Sequence, residues 1–314
     1  TTGFPSRITL NLTEPHYAGP AFGDVIEWQS DALQVSARPW TPWNLHVVAS
    51  GKHDLMVADG ALRFTGGVEK LVADVVLGDV WPESLKLQMS GLSMNGSGPL
   101  SIERLRIQMT HDPSTQAGGT ALKLNVDGGN LVLPGVLPQP LGDRVQSIDM
   151  IARVTGAVVP GPAKVRVPAW RDSGGAIEFE RLKFRSGPFG LAAGGTLAFD
   201  KNLQPQGAFT AKIEGLFQVL EILRARGVMS GGDAVAATMA LSALSTRPKN
   251  GDTPSINVSA TVQDGVLSLG PLKVLKMPVF DWGFPGHVAP TAPVAPVEPP
   301  PPPPRNYKDI KPVL

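Results

Sequence analysis

Two short stretches decide the fold: Leu105-Arg106-Ile107-Gln108-Met109 and Leu122-Lys123-Leu124-Asn125-Val126. In each, apolar and polar residues alternate. Side chains on a β-strand point to opposite faces with a period of two, so each stretch has one apolar and one polar face. That is the pattern of a half-buried antiparallel strand. The same period recurs outward along the chain, in Ile8-Leu10-Leu12, in Leu33-Val35-Ala37 and in Ile148-Met150-Ala152-Val154. Most of residues 5–213 consists of such runs, separated by Gly, Pro, Asp or Asn. This predicts a long meander. The period returns in Ile256-Val258-Ala260-Val262, where Asp264-Gly265 predicts a tight hairpin before Val266–Leu269.

Two runs depart from alternation. Leu71 to Leu77 is almost continuously apolar, which predicts a strand buried on both faces. Leu131 to Pro138 is apolar but broken by proline, which predicts a loop or an edge segment. One passage has a helical period. Within Gly215–Arg226, Leu216, Val219, Leu220 and Leu223 recur at i, i+3, i+4 and i+7, with Arg224 and Arg226 in the last turn and Gly227 behind them. A second helix is expected at Asp233–Leu244. Four glycine pairs (118–119, 128–129, 194–195 and 231–232) are read as turn or irregular-strand glycines, since none opens a phosphate loop. After Phe284 the composition changes. Residues 285–304 hold ten prolines, which predicts a polyproline II tail outside any core.

Composition narrows the function. The 314 residues carry 28 basic and 27 acidic side chains, so charge gives no case for nucleic acid. There is no Cys, which removes disulfides, thiolate metal sites and Cys nucleophiles together. No run reaches the roughly 18 uncharged apolar residues that span a bilayer as a helix. An N-terminal membrane anchor or a cleaved signal ahead of Thr1 is expected. His16, His46, His53, His111 and His287 are scattered singly, and no G-x-S-x-G elbow is present. No enzyme activity and no cofactor are therefore expected. Trp40-Thr41-Pro42-Trp43 is read as a cap over the core, with an apolar groove or a membrane-interface belt as the alternative.

A resemblance joins these patterns. The opening Gly3-Phe4-Pro5-Ser6-Arg7-Ile8-Thr9-Leu10 leads through Trp28 to Leu33-Gln34-Val35-Ser36-Ala37-Arg38-Pro39-Trp40. Later come Ser186-Gly187-Pro188-Phe189-Gly190, Gly195-Thr196-Leu197-Ala198-Phe199-Asp200 and Asp264-Gly265-Val266-Leu267-Ser268-Leu269-Gly270. Across residues 3–275 this resembles the bacterial domain of unknown function 2125. The stretch from Gly195 to Leu216, with the final hairpin, is also similar, more weakly, to AsmA-like envelope proteins. That likeness implies a periplasmic β region behind an inner-membrane anchor and a part in lipid movement or envelope upkeep. Neither resemblance supplies a catalytic residue.

The expected architecture is mainly β: a long curved antiparallel sheet or open half-barrel, with a short helical pair near residues 215–245. Residues 1–284 form the β-rich domain, divisible at about 155/156, and 285–314 the tail. The expected function is non-catalytic binding of a lipid or other apolar ligand in the periplasm. Ile8, Leu10, Leu12, Leu33 and Val35 are the candidate wall, because they share a face of the first two clear strands. The alternative is a structural or adaptor protein with a closed β core, reaching an envelope protein through the tail.

Overall fold

The computed structural model describes residues 6–280 apart from 22–23, 58–61, 80–81, 116–117, 134–142, 158–162, 226–237, 240–241, 243–244, 247–254, 271 and 278. The chain divides into two units, Thr1–Pro278 and Val279–Leu314. In the first, the strands are β1 (Ile8–Thr13), β2 (His16–Ala21), β3 (Asp24–Arg38), β4 (Thr41–Val57), β5 (Leu62–Val76), β6 (Ser84–Gly96), β7 (Leu100–His111), β8 (Thr120–Val132) and β9 (Arg144–Thr155). After helix α1 (Ala163–Asp172) come β10 (Ala176–Ser186), β11 (Phe189–Phe199) and β12 (Pro205–Glu214). Helix α2 (Leu216–Ala225) is followed by β13 (Ser245–Thr246), β14 (Ser255–Gln263), β15 (Val266–Leu269) and β16 (Leu272–Lys276). Of the second unit, Val279 and Phe280 are described. The tail at 285–314, like most of the helix expected at 233–244, lies outside the described residues.

The strands form one antiparallel sheet in the order β1-β3-β4-β5-β6-β7-β8-β9-β10-β11-β12-β14-β15-β16, with β2 beside β3 and β13 beside β14. Chain order and spatial order nearly coincide, as a meander requires. The sheet is open: no pairing among the described residues joins β1 to β16. The expected all-antiparallel open sheet is what the chain forms. The Asp264-Gly265 hairpin is present, with both residues at positive φ (51° and 69°), the backbone that a two-residue turn matching strand twist requires.

Along five central strands the alternation breaks at the same register. Val68 and Leu71 in β5 are separated by Glu69-Lys70, and Met89 and Leu92 in β6 by Ser90-Gly91. Ile102 and Leu105 in β7 flank Glu103-Arg104, Gly128 and Leu131 in β8 flank Gly129-Asn130, and Val145 and Ile148 in β9 flank Gln146-Ser147. Lys70 faces Ser90, Ser90 faces Arg104, Arg104 faces Gly129 and Gly129 faces Ser147. The extra residues therefore lie side by side, and the strands stay in register across them. Gly91 and Asn130 absorb the step with left-handed backbone, φ 63° and 50°. The register shifts of β3 and β4, between Ser30 and Ala32 and between Ala49 and Gly51, extend the line. Apolar residues from both sides still meet: Ile102, Leu131 and Val145 are buried in one cluster with Met89, Leu92, Leu105 and Ile148 around them. The step shifts the sequence frame so that the apolar residues keep one face.

Several local readings need correction. Leu71 to Leu77 is not buried on both faces. Ala73 is buried, but Leu71, Val72, Val75 and Val76 are half-buried and Leu77 is 43% exposed, because only one side of the sheet packs on apolar neighbours. Leu131 and Val132 are neither loop nor edge. They end β8 between β7 and β9, and both are buried, while residues 134–138 of that run lie outside the described residues. Trp40 and Trp43 cap nothing: they are 64% and 67% exposed at the turn from β3 to β4. Helix α1 was not expected, since Pro168 inside it reads as a breaker. What holds it is Trp170, buried, whose Nε1 donates to the Thr155 carbonyl (2.7 Å) and whose ring meets Phe199 edge-on at 6.0 Å.

Candidate binding face

Residues directly opposite each other on paired strands share a face. Starting from Leu10, the register links Val35, Val47, Ala73, Leu87, Ile107 and Val126. It continues through Met150, Leu182, Ala193, Ala211 and Val258. Twelve strands thus contribute one residue each to an unbroken apolar row, roughly 50 Å from strand to strand. Parallel rows flank it. On one side run Leu45, Val75, Leu85, Met109 and Leu124; on the other, Ala49, Leu71, Met89 and Leu105.

The degree of burial along this face is informative. In a sheet covered by a second layer, large apolar residues of central strands are fully buried. Here Leu33, Val35, Val47, Leu87, Ile107, Val126, Met150 and Leu182 are all half-buried, while the small Ala49, Ala73 and Ala152 between them are buried. The side chains shield one another laterally, most fully one row over, where Val68, Ile102, Leu131 and Val145 are buried, although the element contacts there are those between neighbouring strands. Cover is found at the far end. There Leu220 of α2 and Ile256 of β14 bury each other, and Leu216 joins the cluster of Ala211, Ile213, Ala260 and Leu269. Val219 and Leu220 face inward as their spacing predicts; the side chain of Leu223 lies outside the described residues.

The opposite face is solvated and held by cross-strand ion pairs. Arg104 meets Asp127 (3.4 Å) and Arg181 meets Asp149 (3.0 Å), and His46 and Asp74 share a hydrogen bond (2.7 Å). Arg153 bridges Glu178 and Glu180, and Arg185 and Lys212 converge on Glu214. The Arg185 and Lys212 hydrogen bonds hold the Glu214 carboxyl below the usual range. Among the described residues no three His, Asp or Glu side chains gather as metal ligands would.

The five predicted wall residues are brought together. Leu10 faces Val35 and Leu12 faces Leu33, while Ile8 faces Ala37. Ile8 and Leu10 are 46% and 52% exposed, so they sit at the thin edge of the face rather than deep in it. What the sequence reading missed is the extent: the same face runs on through β4 to β14. Its signal was the same period-two alternation, read strand by strand but not joined.

The family described as an uncharacterized protein conserved in bacteria, domain of unknown function 2125, matches residues 1–278. The chain belongs to this family. The match spans every strand of the sheet, so the sheet is the family domain, and residues 279–314 lie beyond it. The likeness to AsmA-like proteins is not part of this match. No curated protein and no solved structure matches the chain.

Proposed function

We propose that this member of the domain of unknown function 2125 family is a non-catalytic binding protein of the bacterial cell envelope. Its apolar sheet face receives the acyl chain of a lipid. The observation that carries the reading is the unbroken row from Leu10 to Val258 with its large side chains only half-buried. Keeping such a face in water costs free energy that a ligand recovers: a chain of roughly 16 carbons gains about 0.8 kcal/mol per buried CH₂, or ~12 kcal/mol gross before the costs of association. A row longer than one chain suits movement along the sheet as well as storage. Placement in the periplasm behind an inner-membrane anchor follows from the AsmA-like likeness and belongs to this proposal.

Neighbouring residues on one strand supply their own controls. Photo-crosslinking residues are placed at Val35, Leu87 and Ile107 on the apolar face, and at Gln34, Gln88 and Gln108 on the other. In cells, lipid adducts are expected at the first three and not at the second three. Equal capture on both faces, or none on either, overturns the reading and leaves the structural or adaptor role.

A further inference from the structure

The turn joining β3 to β4 exposes two tryptophans in a chain that has six. Trp is the residue least expected to stand free in water, and its indole, apolar with one N–H, fits the boundary between lipid tails and headgroups. Pro39 and Pro42 frame the turn and restrict its backbone, so little conformational freedom is lost when it docks. The turn also extends the apolar face. Trp43 lies two residues before Leu45 on β4, and its carbonyl accepts from the amide of Leu77, which is itself 43% exposed.

Cations stand at the same end. Arg7, Arg38 and Lys86 line a cavity of about 290 Å³ beside the turn, together with Thr41, Asn44 and Ser84. The carboxylate in its wall, Asp74, is engaged by His46 at 2.7 Å. Arg7, Arg38 and Lys86 form no ion pair among the described residues. Three cations against the one carboxylate of Asp74, which stands opposite Lys86, leave the cavity net positive next to two exposed indoles, and this matches a surface that offers phosphate groups above hydrocarbon.

We propose that the β3–β4 end of the sheet docks on an anionic phospholipid bilayer. Trp40 and Trp43 enter the interface, and Arg7, Arg38 and Lys86 meet lipid phosphates. The cations line the solvated side of this end and Trp43 the apolar side, so docking is end-on and brings the rim of the open apolar face to the membrane from which a lipid would come. The surface stands independently of the acyl-chain reading, because vesicle binding and chain capture are measured separately.

The full chain is floated with vesicles of phosphatidylcholine alone or with three-tenths phosphatidylglycerol. Binding is expected with the mixed vesicles and should weaken as salt is raised. Trp40→Ser with Trp43→Ser should lower partitioning by about tenfold or more. Arg38→Glu with Lys86→Glu should abolish the preference for phosphatidylglycerol. The two pairs report separately, so the second serves if the first fails to fold. Brominated phosphatidylcholine should quench the parent's fluorescence and leave the double-Trp variant unquenched. The proposal is overturned if the parent ignores both vesicle types or if both variant pairs float like the parent. It is also overturned if Trp40 and Trp43 prove instead to hold a dimer in sedimentation equilibrium without lipid.

Discussion

Trp28 of β3 stacks on His53 of β4, ring centroids 5.9 Å apart and planes 20° from parallel. His53 is 6% exposed, and among the described residues its Nε2 has no hydrogen-bond partner. Burial lowers the pKa of this imidazole below its ordinary 6.5, against the pull of Asp31 and Asp54, which raise it. The folded state therefore favours neutral His53, and the unfolded state binds the proton more readily. The sign follows: this stability is fully present above pH 6.5 and is lost as pH falls below 6.5 towards the depressed folded value. His53→Phe keeps a ring against Trp28 and removes the titration. Thermal unfolding at pH 8 and pH 5 should show a larger drop for the parent than for the variant. Equal drops would assign the acid sensitivity to other groups.

Leu220→Asp should cost several kcal/mol. The side chain is 8% exposed against Ile256, itself 2% exposed, with Leu216, Phe217 and Val258 around the pair. An unpaired charge placed there loses its hydration without recompense, which puts the cost at about 3 kcal/mol or more. A melting temperature equal to the parent's would make α2 an ornament rather than part of the end packing.

Gly215, between β12 and α2, has φ 72°, and a Cβ there would run into the Pro188 carbonyl. Gly215→Ala combines a left-handed backbone with a collision, so it should destabilise by roughly 2 kcal/mol. Gly174→Ala is the control: it shares the positive φ (78°) but has nothing within reach of a new Cβ. It should cost about 1 kcal/mol from the backbone alone. Chemical denaturation resolves the two, and equal losses would remove the steric argument.

Most strands were legible because they carry their own alternation, as at Leu105–Met109 and Leu122–Val126. The candidate face was legible only at its edge, in Ile8, Leu10, Leu12, Leu33 and Val35. Its continuation was hidden by the stepped frame. Glu103-Arg104 and Gln146-Ser147 interrupt the period, so Ile102 and Val145 look misplaced until the register shows that neighbouring strands step together. Burial was hidden for a different reason. Alternation says that Trp43 and Leu87 share the character of a face, but not whether anything covers it. Helix α1 escaped because Trp170 and Phe199, far apart in sequence, hold it against the cost of Pro168.

A charge at the middle of the row separates an open face from a covered one. Ile107 is half-buried, with Leu87 and Val126 opposite it on either side. Were a layer packed over it, Ile107→Asp would strand a carboxylate in the core and cost about 3–5 kcal/mol. On an open face the carboxylate reaches water by a small rotation, and the cost reduces to lost lateral contact, roughly 1–2 kcal/mol. Gln108→Asp, next along β7 and on the solvated side, should fall within about 0.5 kcal/mol of the parent. The open face also fixes the binding result. Ile107→Asp should keep a folded sheet by circular dichroism yet lose most binding of a fluorescent fatty acid, whereas Gln108→Asp should bind as the parent does. Unfolding by Ile107→Asp alone would show a covered core; unchanged binding in a folded Ile107→Asp protein would move the ligand off this face.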